Sequence, residues 1–428
     1  MNPIDQSVSA RIWAHRDWVP LAQALVENSS PLFGLDRDRT DRLIMAVEEV
    51  VMHLAHTAPG SEIILEIIPG GWNVTATLRF AADPSDLWAM NLTAAALTED
   101  EFDLPHLGLL LASRMVDCFD VQLQSRKVCL TLREDLAYPA ATLEVSQRKA
   151  FEGPLSFIAK PDPDLVKEVC LLALGLYGPE HLHQSFFKPG KLADMVTRGD
   201  MNMAVALTQA SELAGAVCWC GDSGVTFFGP YIFMQGDQLS SLLVEYLLQR
   251  VARTDARVLF SGRTTSDLPP GHFEYLGAYA PSAKTPETPV WYRHLGEDSG
   301  TSVWSHPEAV VFLEKSYQDL CLMRQIRVTK DLGEKLPERS VLFAQLRPRL
   351  GEALLVPLVG GRDMKTCLVD HVTTLHAEGF DRILFQTDLA LGWQASLAQA
   401  ALEASFSPRL ILPYGGQSDL LVFQYESL

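Results

Sequence analysis

Glu49, His53 and His56 stand four and then three residues apart in the stretch TDRLIMAVEEVVMHLAH, Thr40 to His56. On a helix those steps gather all three on one stripe, while Leu43, Val47, Val50, Val51 and Leu54 recur at spacings of three and four on the apolar face. A carboxylate one turn from an imidazole is suited to moving a proton or holding a metal. The set has no identifiable fourth ligand and lacks the zinc HExxH spacing, so no metal site is predicted. His181 and His183 in PEHLHQ read as a solvated turn, and spacing supports no Ser-His-Asp arrangement. Cys218 and Cys220 form the close pair Cys-Trp-Cys. Without a second pair at zinc spacing they are predicted to be buried apolar cysteines, and the seven scattered cysteines to be reduced.

The elements that would position these groups belong to a chain of 428 residues, too long for one ordinary core and sized for two or three domains. Hydrophobic residues make up 47% and charged residues 21%, the balance of a folded protein rather than a disordered one. A formal net charge of -18 repels a polyanion, so a nucleic-acid partner is not expected. No stretch has the apolar length of a signal peptide or approaches the roughly 20 apolar residues that cross a bilayer. A cytoplasmic protein without a membrane partner is expected.

Residues 17–30 read as a helix ending before Pro31, with Asp36 or Thr40 available to cap the next helix. A hairpin follows: a β-branched run to Ile68, the turn Pro69-Gly70-Gly71, and a strand from Trp72 to Phe80. With the residues Ala46-Val47-Glu48-Glu49, this order resembles the start of the GHKL (Bergerat-fold, HATPase) ATPases, and most nearly their anti-sigma-factor serine kinase branch. The resemblance implies that Glu49 is the general base that orients water or a substrate hydroxyl. It puts His53 where the family carries the Asn that holds magnesium, and Asp83 or Asp86 where the family has an Asp-x-Gly motif for adenine. It also places Leu87 to Pro105 at the mobile ATP lid. In His106-Leu107-Gly108-Leu109, Gly108 fits the second glycine of the Gly-x-Gly-Leu motif that opens a helix toward phosphates, with His106 in place of the first. Asp117 and two alternating strands complete the match, which spans residues 10–135. An imidazole at 53 prefers softer ions than magnesium, and all three motifs are altered, so Mg-ATP chemistry is expected to be vestigial.

Residues 136–153 read as a linker. Beyond them come a strand, a helix, three apolar strands, a helix led by DQLSSLLVEYLLQRV and the strand ARVLFSG. That order, with the Tyr177-Gly178 step, resembles the GNAT acyltransferase-like domains fused behind anti-sigma-type ATPase domains. The resemblance implies a coenzyme A loop at Gln235-Gly236-Asp237-Gln238-Leu239-Ser240, with a pantetheine arm threading past Gly236. Gln238 replaces the second glycine, and Asp237 opposes a pyrophosphate while suiting a helix cap. Glu212, Tyr231, Glu274 and Tyr275 stand near strand ends as candidate acids and bases, none in a motif. From about 300 onward, a predicted helix over HPEAVVFLEKSYQDLCLMRQI and an αββαβαββ order resemble a second, truncated GNAT repeat, with Asp388 and Asp419 at acidic positions of that family.

The expected fold class is α+β multidomain: a Bergerat-type α/β sandwich over 1–135, a linker over 136–153, and GNAT-like units over 154–295 and 296–428. The expected function is regulatory, through binding of a protein partner such as a sigma factor or anti-sigma antagonist, or of a metabolite, with homodimerisation implied by the family. ATP with magnesium and acetyl-CoA are the candidate cofactors. The alternatives are an acyl-CoA-dependent N-acyltransferase with a nucleotide-sensing N-terminal domain, and a serine kinase using Glu49 and His53.

Overall fold

A computed structural model of the chain describes residues 6–93, 104–124, 126–142, 147–236, 238–283 and 286–426. It is mixed α/β, with three principal sheets packed on apolar cores that cross from one unit to the next.

The first sheet is antiparallel in the order β1-β2-β3-β5-β4, from β1 (Val8–Trp13), β2 (Glu62–Pro69), β3 (Asn73–Ala81), β4 (Cys118–Gln124) and β5 (Lys127–Asp135). Helices α1 (Val19–Ser29), α2 (Arg37–Thr57) and α3 (Leu104–Met115) complete this unit. Asp36 caps α2 by accepting from the Arg39 amide, as its type and position predict. The predicted hairpin forms as read, with Ile67 opposite Ala76 and Leu65 opposite Leu78. Ile63, Leu65, Ile67, Val74, Ala76 and Leu78 are fully buried, which is how period-two alternation pins a strand register.

Between the first and second sheets, β6 (Lys149–Ala150) lies inside the stretch read as a linker. The second sheet has seven strands in the order β13-β14-β12-β10-β9-β8-β7, with β7 (Ser156–Ala159), β8 (Asn202–Leu207), β9 (Leu213–Cys220) and β10 (Gly224–Ile232). A two-residue strand, β11 (Met234–Gln235), continues β10, and β12 (Val258–Arg263), β13 (Glu274–Tyr279) and β14 (Thr288–His294) complete the sheet. Its helices are α4 (Pro163–Leu176), α5 (Pro189–Arg198) and α6 (Leu239–Val251). Helix α5 was not predicted, although Pro189 at its start and a left-handed Gly199 at its end are ordinary punctuation. Cys218 is buried and Cys220 half-buried on β9, and all seven cysteines are free.

The C-terminal unit begins with β15 (Thr301–Ser305), α7 (Val310–Asp319) and β16 (Arg324–Val328). The helix predicted through Ile326 therefore stops early. Its last residues form β16, parallel to β15, because Arg324 is drawn into a buried ion pair with Asp419 at 2.7 Å. The sheet order is β17-β18-β19-β21-β20, from β17 (Val341–Arg347), β18 (Glu352–Val359), β19 (Arg382–Asp388), β20 (Phe406–Leu412) and β21 (Leu420–Tyr425). Helix α8 (Met364–Ala377) precedes β19, and the single helix expected before β20 is split into α9 (Gly392–Ser396) and α10 (Ala398–Glu403).

The units share their cores. Val341, Phe343 and Val359 join the core of the first unit, while Leu92 and Leu110 join that of the C-terminal unit. Asn91 fastens this seam, donating to the Ser340 carbonyl at 2.9 Å and accepting from the Leu342 amide at 2.8 Å. Trp72, at the hairpin turn, lies in the core of the second unit, and its indole N–H reaches Asp200 at 2.6 Å. Lys191 of α5 meets Asp135 at 2.6 Å with both side chains almost wholly buried. Among the described residues no helix is long and apolar enough to cross a membrane.

Candidate functional site

The first candidate site lies where α2 crosses α3. Glu49 is half-buried, and burial together with the neighbouring Glu48 charge raises its carboxyl above the usual range. Gly108 packs directly against it: a Cβ at position 108 would stand 2.8 Å from Glu49 Oε2 and 3.2 Å from its carbonyl oxygen. The structure therefore brings Glu49 and Gly108 together. It does so in a different way from the expected phosphate loop, because α3 starts at Leu104 and Gly108 is its fifth residue. Only the first four amides of a helix lack an intrahelical acceptor, so the Gly108 amide is not one of those free for an anion.

His53 is 2% exposed, on the core side of α2, and offers a ligand almost no surface. His56 is exposed, so the two imidazoles of the sequence triad differ in environment. Asp83 lies past the end of β3, exposed, with its Oδ2 3.8 Å from Arg126 Nη2. The side chains of Asp86 and His106 lie outside the described residues, as does much of the lid segment. Placed this way, Glu49, His53, Asp83 and Gly108 do not fit Mg-ATP: the position that should ligate magnesium is buried and the phosphate glycine is inside a helix. Among the described residues no group of three or more His, Cys, Asp or Glu side chains could hold a metal ion.

A cavity of about 510 Å³ opens instead at the N-terminal end of α2, lined by Asp36, Asp38, Arg39, Arg42 and Tyr138 among others. Its two arginines are engaged. Arg39 reaches Asp117 at 3.0 Å and Arg42 reaches the buried Glu134 at 2.8 Å.

The second candidate site is the turn from β11 into α6. Gln235 and Gln238 are exposed, Gly236 is half-buried, and Leu239 is a core residue. Gln238 has a left-handed backbone, φ 65°, immediately before α6. Asp237 lies outside the described residues. The loop is covered from within the chain: β6 pairs with β11, the Phe151 amide donates to the Gln235 carbonyl at 2.8 Å, and a Cβ at Gly236 would stand 3.3 Å from the Phe151 carbonyl oxygen. In this conformation the residues do not fit a coenzyme A arm, since the backbone it would use is already paired.

The candidate acids and bases are dispersed. Tyr231 is fully buried, its hydroxyl donates to the His181 carbonyl at 3.1 Å, and burial pushes its phenol well above the ordinary value. Glu212 is exposed and lines a cavity of about 200 Å³ beside Phe151 and Glu152. Glu274 and Tyr275 are exposed on β13. His181 and His183 are not a solvated turn. His181 Nδ1 is 2.7 Å from the Thr264 carbonyl, and burial, aided by the Arg263 charge, lowers His183 to about 4. Asp388 accepts from the amides of Ala390 and Gln417, and Asp419 is buried against Arg324.

The residues that sequence reasoning missed are Arg148 and Asp267. They form a two-pronged ion pair at 3.1 and 2.7 Å across 119 positions, beside the hydroxyl of Tyr177. No local pattern announces a pair so distant in the chain.

No family model matches the chain, and no curated protein matches it. Solved structures similar to parts of it include the RsbU and RsbW domains of a Mycobacterium tuberculosis protein, at 14% identity and TM-score 0.23 over 31% of this chain and 32% of that one. The match thus spans about a third of the length of the mycobacterial structure. A putative acetyltransferase from Acinetobacter baylyi ADP1 is 14% identical, TM-score 0.27, over 33% of this chain and 92% of its own. A phosphinothricin acetyltransferase from Sinorhizobium meliloti, solved with AcCoA, is 15% identical, TM-score 0.27, over 34% of this chain and 90% of its own. At these TM-scores the likenesses carry no functional argument.

Proposed function

We propose that this chain is a regulatory protein that works by recognition: an anti-sigma-kinase-like unit with vestigial nucleotide motifs, built into one body with two GNAT-like units. Its partner on this reading is a protein of the sigma-factor or anti-sigma-antagonist kind, and the chain does not transfer phosphate. The observation that supports the reading is the packing of the Glu49 carboxylate against Gly108 inside α3, with His53 buried one turn away. A general base for phosphoryl transfer needs a reachable hydroxyl or water on one side and a metal-bound phosphate on the other. Here Glu49 serves a helix crossing. Recognition of a protein surface survives such changes, because it depends on buried anchors and shape complementarity.

The test is a thermal-shift panel on the full chain with Mg-ATP, Mn-ATP, ADP, coenzyme A and acetyl-CoA. Ligand stabilisation grows as the logarithm of concentration over Kd, so a micromolar site would raise Tm clearly at about 1 mM ligand. No rise is expected with Mg-ATP or Mn-ATP. A rise that disappears in Glu49→Ala, together with phosphate release, would overturn the proposal for the first unit.

A further inference from the structure

The chain carries a net charge of -18, yet one junction within it gathers more cations than anions. It lies where the second unit meets the C-terminal unit. Arg263 ends β12, Arg382 begins β19, and Arg347 and Glu352 flank the turn between β17 and β18. Contacts on two sides bring these segments together. The Trp291 amide donates to Ser261 Oγ at 2.8 Å, which sets the end of β12 beside the start of β14, and there Arg382 donates to the Thr288 hydroxyl at 3.2 Å. On the other side Arg349, in the β17–β18 turn, lies 4.3 Å from the centre of the Phe187 ring of the second unit.

The charges at this junction do not balance. Glu352 is buried and shared, since Arg347 pairs with its Oε1 and Arg382 Nη1 stands 3.6 Å from its Oε2. Arg382 spends further donors on the carbonyls of Ala280 and Pro286, and its buried Nε has no acceptor. Arg263 has no carboxylate at all. Its Nη1 donates to the Glu180 carbonyl at 3.2 Å, while the Glu180 carboxylate turns away to His181, 3.6 Å from Nε2. Three guanidinium groups therefore share one carboxylate. Burial lowers the Arg263 pKa, and Arg347 and Arg382 lower it further against the pull of Glu352. A half-buried cation without a counter-ion is a standing cost that a bound anion removes.

We propose that Arg263 and Arg347 hold a small oxyanion, a carboxylate or a phosphoryl group, at the junction of the second and C-terminal units. Arg263 is half-buried and Arg347 exposed, so the site faces solvent on the Arg347 side. A guanidinium fork meets two oxygens of either group through parallel N–H···O bonds, which selects an oxyanion over a halide. Arg263 belongs to the second unit and Arg347 to the C-terminal one, so the bound anion fastens the two units to each other. The inference adds a metabolite-sized ligand to the proposed recognition of a protein partner and does not depend on that reading.

Thermal unfolding of the full-length chain tests this, with inorganic phosphate, glycerol 3-phosphate and succinate as separate probes at about 10 mM, against sodium chloride at the same ionic strength. A rise in Tm over chloride is expected. Phosphate and glycerol 3-phosphate alone raise it if the site takes a phosphoryl group, succinate alone if it takes a carboxylate, and all three if the oxyanion itself suffices. Arg263→Gln keeps a donor for the Glu180 carbonyl but removes the charge, and is expected to weaken the anion about tenfold or more, the loss of one charge-assisted pair. Arg347→Gln, at an exposed position, is expected to do the same and serves if Arg263→Gln does not fold. No rise with any of the three probes overturns the inference. So does a rise that the arginine variants leave at wild-type size, since that is the general effect of an excluded salt rather than a site. None of these residues belongs to the first unit, so either result leaves its reading intact.

Discussion

The backbone of Gly108 occupies the space beside Glu49 so closely that a methyl group at 108 would stand 2.8 Å from the carboxylate and 3.2 Å from the Glu49 carbonyl oxygen. Two effects oppose each other in Gly108→Ala. Alanine favours a helix over glycine by about 1 kcal/mol, while overpacking costs about 1–3 kcal/mol. The carboxylate end can swing aside, but the carbonyl cannot. Net destabilisation up to about 2 kcal/mol is expected in the wild-type background, and destabilisation again in the Glu49→Ala background, where the carbonyl contact remains. Urea denaturation of the two singles and the double variant measures this, and stabilisation by Gly108→Ala in the Glu49→Ala background would show that the carboxylate contact dominates.

Asn91→Ala removes a side chain that satisfies both the Ser340 carbonyl and the Leu342 amide in a buried seam. Each group left unpaired costs about 1–3 kcal/mol, so a loss of about 2–6 kcal/mol is expected for the two. The unfolding transition should also lose cooperativity, since the seam joins the first and C-terminal units. A variant that unfolds in one transition at wild-type denaturant would show that the apolar contacts of Phe343 and Val359 hold the seam without it.

Lys191 and Asp135 join the second unit to the first, beneath the Trp72 ring 4.6 Å from the ammonium. Burial lowers the lysine pKa and the Asp135 charge opposes that shift. Lys191→Met leaves Asp135 buried with only Arg133 beside it, its Nε 4.0 Å from Oδ1, an expected loss of about 3 kcal/mol, with part recovered in the double variant with Asp135→Asn. Chemical denaturation followed by tryptophan emission reads this directly.

His183 is held well below the usual histidine value, at about 4, by burial and by Arg263, while its Nδ1 accepts from the Ser185 amide at 3.3 Å. The folded state favours the neutral ring. Its contribution to stability is therefore complete above the ordinary value of 6.5 and is lost as pH falls through about 4. His183→Asn, which keeps a short acceptor, is expected to flatten that part of the stability profile between pH 4 and 6.5. A profile identical to wild type would place the acid sensitivity elsewhere.

Much of this architecture is visible in local pattern. The alternation of Val74, Ala76 and Leu78 against Thr75 and Thr77 defines β3, and Leu43, Val47, Val50 and Leu54 define the buried face of α2. The features that escaped depend on partners far away in the chain. Strand β6 is two exposed residues with no periodicity, visible only through Gln235. Strand β16 arises because Arg324 is buried against Asp419, 95 positions on. Gly108 and Glu49 were singled out by motif, yet a motif does not show whether a glycine opens a helix or lies inside one, and that depends on where α3 begins. Helix α5 is legible in its local pattern: Leu192, Ala193, Met195 and Val196 are all buried on one face between its proline and glycine stops.

The shared cores bear on how this protein can be handled. A recombinant fragment cut after Asp135 would bare the surface that now meets Val341, Phe343 and Val359 and would pull Trp72 out of its neighbour. Such a piece is a poor candidate for soluble expression or crystallisation, and two-hybrid baits trimmed to the first 135 residues would present sticky faces that the intact molecule conceals.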